Sequence, residues 1–273
     1  MADEVAAHYA GKGRLADAIA ASLARAGKDP AALTTADLAA VDEFHVRGRK
    51  ATLELAARME LTARSHVLDI GSGLGGPART VAETAGCRVT GIDLTPAFRE
   101  AAETLSGWVG LAGRTAFRQA DATELPFDPA TFDAAMTIHV AMNIAAKDRM
   151  YAQARRVLKP GGIFAVYDIV QGEGGEVHFP VPWARVPAIS HLATPERMRA
   201  LLAGAGFDIL DEVDSTQESQ AWFEAMAARM ARDGPAPVTF REFLGDDFPA
   251  MARNQVRNLA ERRIRTVTFV ARA

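Results

Sequence analysis

A short apolar run that ends in glycines constrains this chain more than any other feature of its sequence. Residues 67–70 (VLDI) are predicted to form a buried strand, and residues 71–76 (GSGLGG) satisfy the spacing G-x-G-x-x-G. Pro77 suits the first turn of a helix, and Asp93 ends the next predicted strand at about the spacing of a ribose-binding acid. Strand, turn, helix and acid in this order predict that a nucleoside-containing cofactor crosses the strand ends.

Two further acids bear on which nucleoside this is. Asp69 lies two residues before the first glycine, where a carboxylate would repel the pyrophosphate of a dinucleotide. S-adenosylmethionine (SAM) has no phosphate and presents an ammonium and a sulfonium, which tolerate a nearby acid. Asp121 follows the third predicted strand, where its carboxylate can accept a hydrogen bond from an adenine amino group and Ala122 can offer a backbone N–H. The acids therefore favour SAM, and an NAD-dependent oxidoreductase stays as the less favoured alternative.

Strands and helices alternate along most of the chain. The predicted strands cover residues 67–70, 88–93, 115–118, 132–138, 163–169, 207–213 and 264–270. Helices are predicted at 15–23, 37–41 and 51–61 before the first strand, and two more helical stretches separate the last two strands. Five alternations of strand and helix indicate a parallel sheet with helices on both faces.

Composition argues against several classes of partner. The chain has 273 residues and a formal net charge of -3, which gives no support for a nucleic-acid or membrane-surface partner. No apolar run approaches the roughly 20 residues that span a bilayer. Cys87 is the only cysteine, so no intrachain disulfide is expected and a cytoplasmic location is predicted. The six histidines lack the spacing of metal ligands, so no metal site is predicted.

Four segments, in this order along the chain, carry a family resemblance. They are residues 67–76 (VLDIGSGLGG), 91–94 (GIDL), 120–127 (ADATELPF) and 157–162 (VLKPGG). The chain resembles the class I SAM-dependent methyltransferases, and within them the small-molecule branch that includes quinone and tocopherol C-methyltransferases. Residues 42–45 (DEFH) and 141–144 (AMNI) are most similar to the sarcosine and dimethylglycine N-methyltransferases of that branch.

The resemblance implies a fold and a division of the chain. The fold class is α/β, with a Rossmann-like, doubly wound sheet of seven strands whose last strand is antiparallel. Residues 1–62 would form an N-terminal helical cap, and residues 63–273 would form the methyltransferase domain. Within that domain, residues 170–193 would form a substrate loop and residues 217–262 a helical insert. A homo-oligomer is compatible with this division.

The resemblance also implies a set of cofactor contacts, with S-adenosylhomocysteine as the product. Gly71 and Gly73 would pass the methionine part of SAM, while Asp93 and Leu94 would hold ribose and adenine. His139, directly after the fourth strand, would face the cofactor. The full predicted set is Asp69, Gly71, Ser72, Gly73, Asp93, Leu94, Asp121, Ala122 and His139.

Methyl transfer is an in-line displacement, for which a protein mainly aligns the reactants and excludes water. A neutral amine nucleophile needs no base at the moment of transfer, whereas a hydroxyl or a carbon acid usually does. The candidate bases are His139, His45, His191 and Asp168. The candidate contacts to the acceptor are Phe44, Asn143, Phe179 and Trp183.

The predicted reaction is methyl transfer to a small molecule, with an amine nitrogen favoured over oxygen or carbon. An ammonium-type acceptor would call for an aromatic cage, for which Tyr9, Phe44, Phe179 and Trp183 are the candidates. A methyltransferase-like domain can also retain SAM while it catalyses cyclisation or serves as a binding protein. This alternative stays open, because the motifs report on the cofactor and not on the acceptor.

Overall fold

The structure, a computed structural model, describes residues 15–234 and 245–273, and a seven-stranded sheet forms its centre. The strands are β1 (His66–Ile70), β2 (Arg88–Asp93), β3 (Thr115–Gln119), β4 (Phe132–Ile138), β5 (Leu158–Gln171), β6 (Asp208–Asp214) and β7 (Ile264–Arg272). Their order is β3-β2-β1-β4-β5-β7-β6, and β7 runs antiparallel to both of its neighbours. All other neighbouring pairs are parallel. This confirms the predicted Rossmann-like, doubly wound sheet with an antiparallel last strand.

Helices flank the sheet. The α-helices in the described part of the chain are α1 (Leu15–Arg25), α2 (Thr35–Asp42), α3 (Gly48–Ala56), α4 (Gly76–Ala85), α5 (Pro96–Trp108), α6 (Lys147–Val157), α7 (Pro195–Gly204), α8 (Thr216–Asp233) and α9 (Phe248–Ala260). Helices α1 to α3 lie in the range predicted as a cap, and α8 and α9 lie in the range predicted as an insert. Both units stay predictions. No helix among these residues is long and apolar enough to cross a membrane.

Two boundaries differ from the sequence expectation. The third helix begins and ends earlier than predicted, because Arg47 adopts a left-handed φ of 68° just before it and Glu60 adopts a φ of 54° after it. Residues 159–162, predicted as a turn, lie within β5. They remain in the strand because Gly161 takes a φ of 80° and its N–H donates to the carbonyl of Ala273 at 2.8 Å.

Apolar side chains cover both faces of the central strands, as buried parallel strands require. On one face, Tyr151 of α6 and Met198 of α7 pack against Phe164 of β5. On the other face, Leu55 of α3 and Val81 of α4 belong to a second buried cluster. Because these two helical layers cover the faces of the sheet, polar residues gather at the carboxyl ends of the strands.

The strand order places a crevice at that edge. From β1 the chain proceeds outward to β2 and β3, and then returns to β4 on the other side of β1. The loops that follow β1 and β4 therefore diverge at this point, which is where open α/β sheets bind their ligands. The glycine turn follows β1 and His139 follows β4, so the fold brings these two predicted features to one crevice.

Candidate active site

The glycine turn after β1 is held against β2 by its own backbone. The N–H groups of Gly71 and Ser72 both donate to the carbonyl of Ile92, at 2.9 and 2.8 Å. Gly71 has a φ of 77°, and a Cβ added there would lie 2.3 Å from a Val140 methyl group, so no larger residue fits. Gly73 has a φ of 51° and no atom within 4 Å of an added Cβ, so this side of the turn faces open space. The turn therefore offers exposed backbone to a ligand.

Asp93, at the end of β2, reaches back to the same turn. Its carboxylate accepts the N–H of Gly73 at 2.9 Å and the N–H of Thr95 at 2.8 Å. Burial raises the pKa of Asp93, and the two backbone donors oppose that shift. A carboxylate held in this way keeps further lone pairs for ribose hydroxyls. The predicted role of Asp93 stays a prediction, and its position beside Gly73 supports that role.

Asp69 is a deeply buried acid of the crevice, with 1% of its surface exposed. Its Oδ2 atom is buried without a hydrogen-bond partner among the described residues. Burial, followed by the charges of Glu43 and Asp93, raises the pKa of Asp69 to about 8, and Arg79 opposes the shift. An unpartnered buried carboxyl fits a ligand that brings positive charge, as SAM does, and fits a pyrophosphate poorly.

The remaining residues of the predicted adenine edge lie beyond β2 and β3. Leu94 is half-buried, and its carbonyl accepts the Gln119 side-chain amide at 3.2 Å. Asp121 is exposed and accepts the N–H and the hydroxyl of Thr123 at 2.7 and 2.8 Å, while Ala122 is half-buried. The structure therefore aligns these residues along one rim, on the same side as Asp93.

His139 closes the crevice from the β4 side in an unusual conformation. Its φ is 53°, a left-handed value that costs energy for a residue with a side chain, and its N–H donates to the Tyr167 carbonyl at 2.8 Å. Its Nε2 atom is buried and has no partner in the described residues. Burial, and then the charge of His45, hold the pKa of His139 well below its usual range, so the imidazole is neutral. A strained backbone that presents a free ring nitrogen indicates a functional position.

His45 and Tyr167 complete an aromatic group around this ring. The ring centroid of His139 lies 5.0 Å from that of Tyr167 and 5.9 Å from that of His45. Burial lowers the pKa of His45 to about 4, and its Nε2–H donates to the Gly48 carbonyl at 2.9 Å. The candidate bases His139 and His45 therefore meet in the structure, but the Nε2 of His45 is already engaged within its own loop.

The other two candidate bases make different contacts. Asp168 is buried and accepts the N–H groups of Met142 and Ile169 at 3.2 and 2.8 Å, and burial raises its pKa. His191 is half-buried on a separate cleft of about 740 Å³ between the starts of α6 and α7. Its carbonyl accepts the buried ammonium of Lys147. No contact of Asp168 or His191 joins them to the ring group around His139.

The predicted acceptor residues are placed in the loop layer beside the crevice. Asn143 donates its side-chain amide to the carbonyls of Trp183 and Ile189, at 2.7 and 3.0 Å. Trp183 is 1% exposed and its indole N–H donates to Ser190 at 3.0 Å. Phe44 and Phe179 are half-buried. In this structure Asn143 and Trp183 therefore hold the loop together, and their contact with an acceptor stays a prediction.

Sequence reasoning missed a buried charged network beneath the glycine turn. Arg79 of α4 donates to Asp42 at 2.7 Å and to the Leu74 carbonyl of the turn at 2.5 Å. Burial outweighs the attraction of Arg79 and raises the pKa of Asp42 to about 6. A Cβ on Gly76 would lie 2.2 Å from the Asp42 carbonyl oxygen, so a glycine is required for this approach. The sequence did contain one indication of this network: Arg79 lies among small residues in a helix that was predicted to pack on the sheet.

Glu43 lies in the same network without a lysine or arginine partner. The hydroxyls of Thr52 and Thr80 each donate to its carboxylate at 2.6 Å, and the His45 Nε2 atom is 3.6 Å away. Burial raises the pKa of Glu43. No group of three or more metal-ligating side chains occurs within residues 15–234 and 245–273. Apart from Asp69, the acids of the crevice are thus held by hydroxyls, backbone N–H groups and one arginine.

Comparisons with known proteins agree with this geometry. A family model described as a methyltransferase domain matches residues 68–166, which run from β1 into β5. O-methyltransferase resE of Aspergillus sclerotiorum is 31% identical over 186 residues, covering 65% of this chain and 68% of that enzyme. The chain belongs to the class I SAM-dependent methyltransferases. It is therefore an enzyme whose methyl donor is SAM, as the resemblance implied.

Other known proteins are similar to the methyltransferase over different fractions of their own length. Sterol 24-C-methyltransferase of Eremothecium gossypii is 31% identical over 186 residues, and the chain spans 50% of its length. Among solved structures, the [4+2]-cyclase SpnF is similar with a TM-score of 0.67 and 25% identity, over 95% of this chain and 94% of that one. Small molecules are the acceptors in the branch that these relatives represent, and neither likeness identifies the acceptor atom.

Replacing Asp93 by alanine is expected to weaken SAM binding by roughly 10- to 150-fold. The variant loses the carboxylate that orders Gly73 and that we expect to hold ribose, and hydrogen bonds to charged groups contribute about 1.5–3 kcal/mol. Isothermal titration calorimetry measures the change, with exposed Asp128→Ala as the control. Unchanged SAM affinity in a folded Asp93 variant would contradict the placement of the cofactor.

Proposed function

We propose that the methyltransferase transfers the methyl group of SAM to an oxygen of an apolar small molecule, with His139 as the base. The observation that carries the proposal is the buried, unpartnered Nε2 of His139, presented by a left-handed backbone at the crevice. When bound, SAM supplies an electrophilic methyl carbon and a neutral thioether leaving group. With SAM bound, the methyl–sulfur bond would break as the acceptor oxygen bonds to the methyl carbon, and the proton of the acceptor O–H would pass to Nε2 of His139.

The low pKa of His139 suits this task. An acceptor hydroxyl becomes strongly acidic as its oxygen is alkylated, so a weakly basic imidazole is sufficient to take the proton. Because burial disfavours the charged ring, the imidazolium gives the proton up readily and the neutral base is restored. The base is therefore in its working form throughout the neutral pH range.

The surroundings of this ring favour an apolar acceptor. The Tyr167 hydroxyl, beside His139, donates to the Val46 carbonyl at 3.2 Å, and Val46 belongs to an apolar cluster at this edge. Its buried members are Val46, Met142, Ile169, Val181, Trp183, Ala184, Ile189, Leu259 and Ile264, with Val177, Phe179, Leu192, Trp222 and Phe223 packed against them. Half-buried members such as Phe179 and Trp222 would contact an apolar acceptor, and burial of its hydrocarbon would stabilise binding.

An amine acceptor, favoured by the sequence, has less support. Of the proposed cage, Trp183 is buried with its indole N–H bonded to Ser190, and Tyr9 lies outside the described residues. Phe44 and Phe179 are half-buried. The face of the buried Trp183 is not open to a cationic amine in this structure, which removes one of the aromatic faces that cation–π binding would use.

A second candidate function is a cyclisation for which SAM is retained without methyl transfer. The likeness to the [4+2]-cyclase SpnF over nearly the whole chain favours it. In that case His139 would orient a substrate by accepting a hydrogen bond, and no S-adenosylhomocysteine would form.

The test is release of S-adenosylhomocysteine across a panel of apolar phenols and alcohols, amines, quinols and conjugated polyenes, with products located by NMR. The proposal expects O-methyl products in amounts equal to the S-adenosylhomocysteine formed. N-methyl products from amines, with none from hydroxyl compounds, would contradict the oxygen acceptor. Conversion of a polyene without S-adenosylhomocysteine would establish the cyclase instead.

A further inference from the structure

Asp69 combines deep burial with a missing hydrogen-bond partner. Its backbone pairs with Gly91 of β2 and Met136 of β4, which fixes the residue in the centre of the sheet. Its side chain ends at the glycine turn, with 1% of the residue exposed and Oδ2 unpartnered within the described chain. Buried polar atoms are almost always hydrogen-bonded, so a native exception calls for a functional explanation.

The charges around Asp69 do not compensate a carboxylate. Glu43 at the end of α2 and Asp93 at the end of β2 both oppose a negative charge there. Arg79 of α4 attracts such a charge, but no hydrogen bond joins it to Asp69.

The two Nη groups of Arg79 are directed elsewhere, and its Nε has no partner among the described residues. The Nη groups donate to Asp42 and to the carbonyls of Leu74 and Ala102, with a fourth contact to the Ser106 hydroxyl. The two histidines nearby, His45 and His139, are neutral because they are buried. Arg49 attracts the charges of Asp42 and Glu43, and Arg47 acts on His45, but no hydrogen bond joins either arginine to Asp69.

We propose that Asp69 is protonated in the ligand-free methyltransferase and loses its proton when SAM binds, so that cofactor uptake releases about one proton. The O–H bond of the Asp69 carboxyl breaks, the proton passes to the solvent, and the carboxylate becomes the counter-ion of the bound cation. The inference concerns the cofactor alone and does not depend on which acceptor atom is methylated.

The direction of the pH dependence follows from this coupling. Burial and the neighbouring acids raise the pKa of Asp69 to about 8, so most of the ligand-free protein carries the proton at pH 7. SAM affinity is then expected to rise with pH by close to tenfold per unit below about pH 8, and to level off above it. S-adenosylhomocysteine keeps the ammonium but lacks the sulfonium charge, so its binding is expected to release fewer protons than SAM at pH 7.

Calorimetric titration of the full chain with SAM, in phosphate and in Tris at pH 7, tests the proposal. The two buffers have different ionisation enthalpies, so the difference in binding heat counts the protons released. We expect release of about one proton per SAM for the wild type and clearly less for Asp69→Asn, whose side chain does not titrate. Exposed Asp128→Asn is the matched control and should behave as the wild type does.

A second measurement needs no variant. The infrared difference spectrum of the wild type should lose a protonated carboxyl band when SAM binds. SAM binding without proton release by the wild type, or undiminished release in a folded Asp69→Asn variant, would overturn the inference alone. Absence of any SAM binding would overturn the cofactor assignment together with it.

Discussion

Replacing His139 by alanine is expected to slow methyl transfer to a hydroxyl acceptor by about 10²–10⁴-fold, the range that general-base catalysis contributes. The variant removes the only unpartnered ring nitrogen that the described residues present at the β4 side of the crevice. The backbone of residue 139 and the glycine turn remain, so SAM affinity should change by less than about tenfold. Steady-state kcat, together with SAM titration, separates the two effects.

Two controls distinguish a base from a packing residue. His66→Ala removes a histidine at the amino-terminal end of β1, where its ring contacts Thr90, and kcat should stay within twofold of the wild type. Added imidazole should restore part of the activity of His139→Ala with hydroxyl acceptors, because a free base can enter the space that the side chain leaves. A loss of kcat below tenfold, with no rescue by imidazole, would contradict a proton-transfer role.

Replacing Arg79 by methionine is expected to lower the free energy of unfolding by about 3–5 kcal/mol, the cost of breaking a buried ion pair from one side. The side chains of Asp42 and Arg79 are 2% and 1% exposed, and they lie 2.7 Å apart. Without the guanidinium, the Asp42 carboxylate and the carbonyls of Leu74 and Ala102 lose their donors. Urea denaturation at pH 8, analysed with a two-state transition, measures the difference.

The loss of stability in Arg79→Met should also depend on pH. Burial already raises the pKa of Asp42 to about 6, and loss of Arg79 would raise it further, so the buried carboxyl is neutral at acidic pH. The destabilisation should therefore shrink as the pH falls from 8 to 5. The double variant Asp42→Asn with Arg79→Met should recover part of the loss, because neither buried ion remains.

The matched control for Arg79 is a surface pair on the next helix. Arg99 and Glu103 on α5 are 2.9 Å apart but are 30% and 48% exposed, so Arg99→Met should change stability by no more than about 1 kcal/mol. Equal effects of the two substitutions would show that the buried network does not stabilise the fold as described.

The network that Arg79 serves also explains how the N-terminal helices reach the cofactor crevice. Asp42 ends α2 and Glu43 follows it, and both are held by Arg79, Thr52 and Thr80 from α3 and α4. These contacts bring His45 beside His139, so the helices before β1 complete the ring group around the proposed base. A substitution in this segment is therefore expected to disturb both the fold and the site.

Local sequence determined the features that depend on spacing along the chain. The apolar run, the glycine turn and Asp93 predicted the βαβ unit and its cofactor edge, because strand, turn and helix each need particular residues at fixed intervals. Family membership and the use of SAM followed from the same residues and were confirmed. The doubly wound sheet of seven strands with an antiparallel last strand was implied by the resemblance and was also confirmed.

Only the tertiary structure decided which distant residues share an environment. Asp42 and Arg79 are 37 positions apart, and no periodicity in the sequence links them. The left-handed backbone of His139, the burial of Trp183 and the unpartnered oxygen of Asp69 likewise depend on elements that pack together from far along the chain. Burial and the distances between charges set the pKa of each group, and these quantities exist only after the chain has folded.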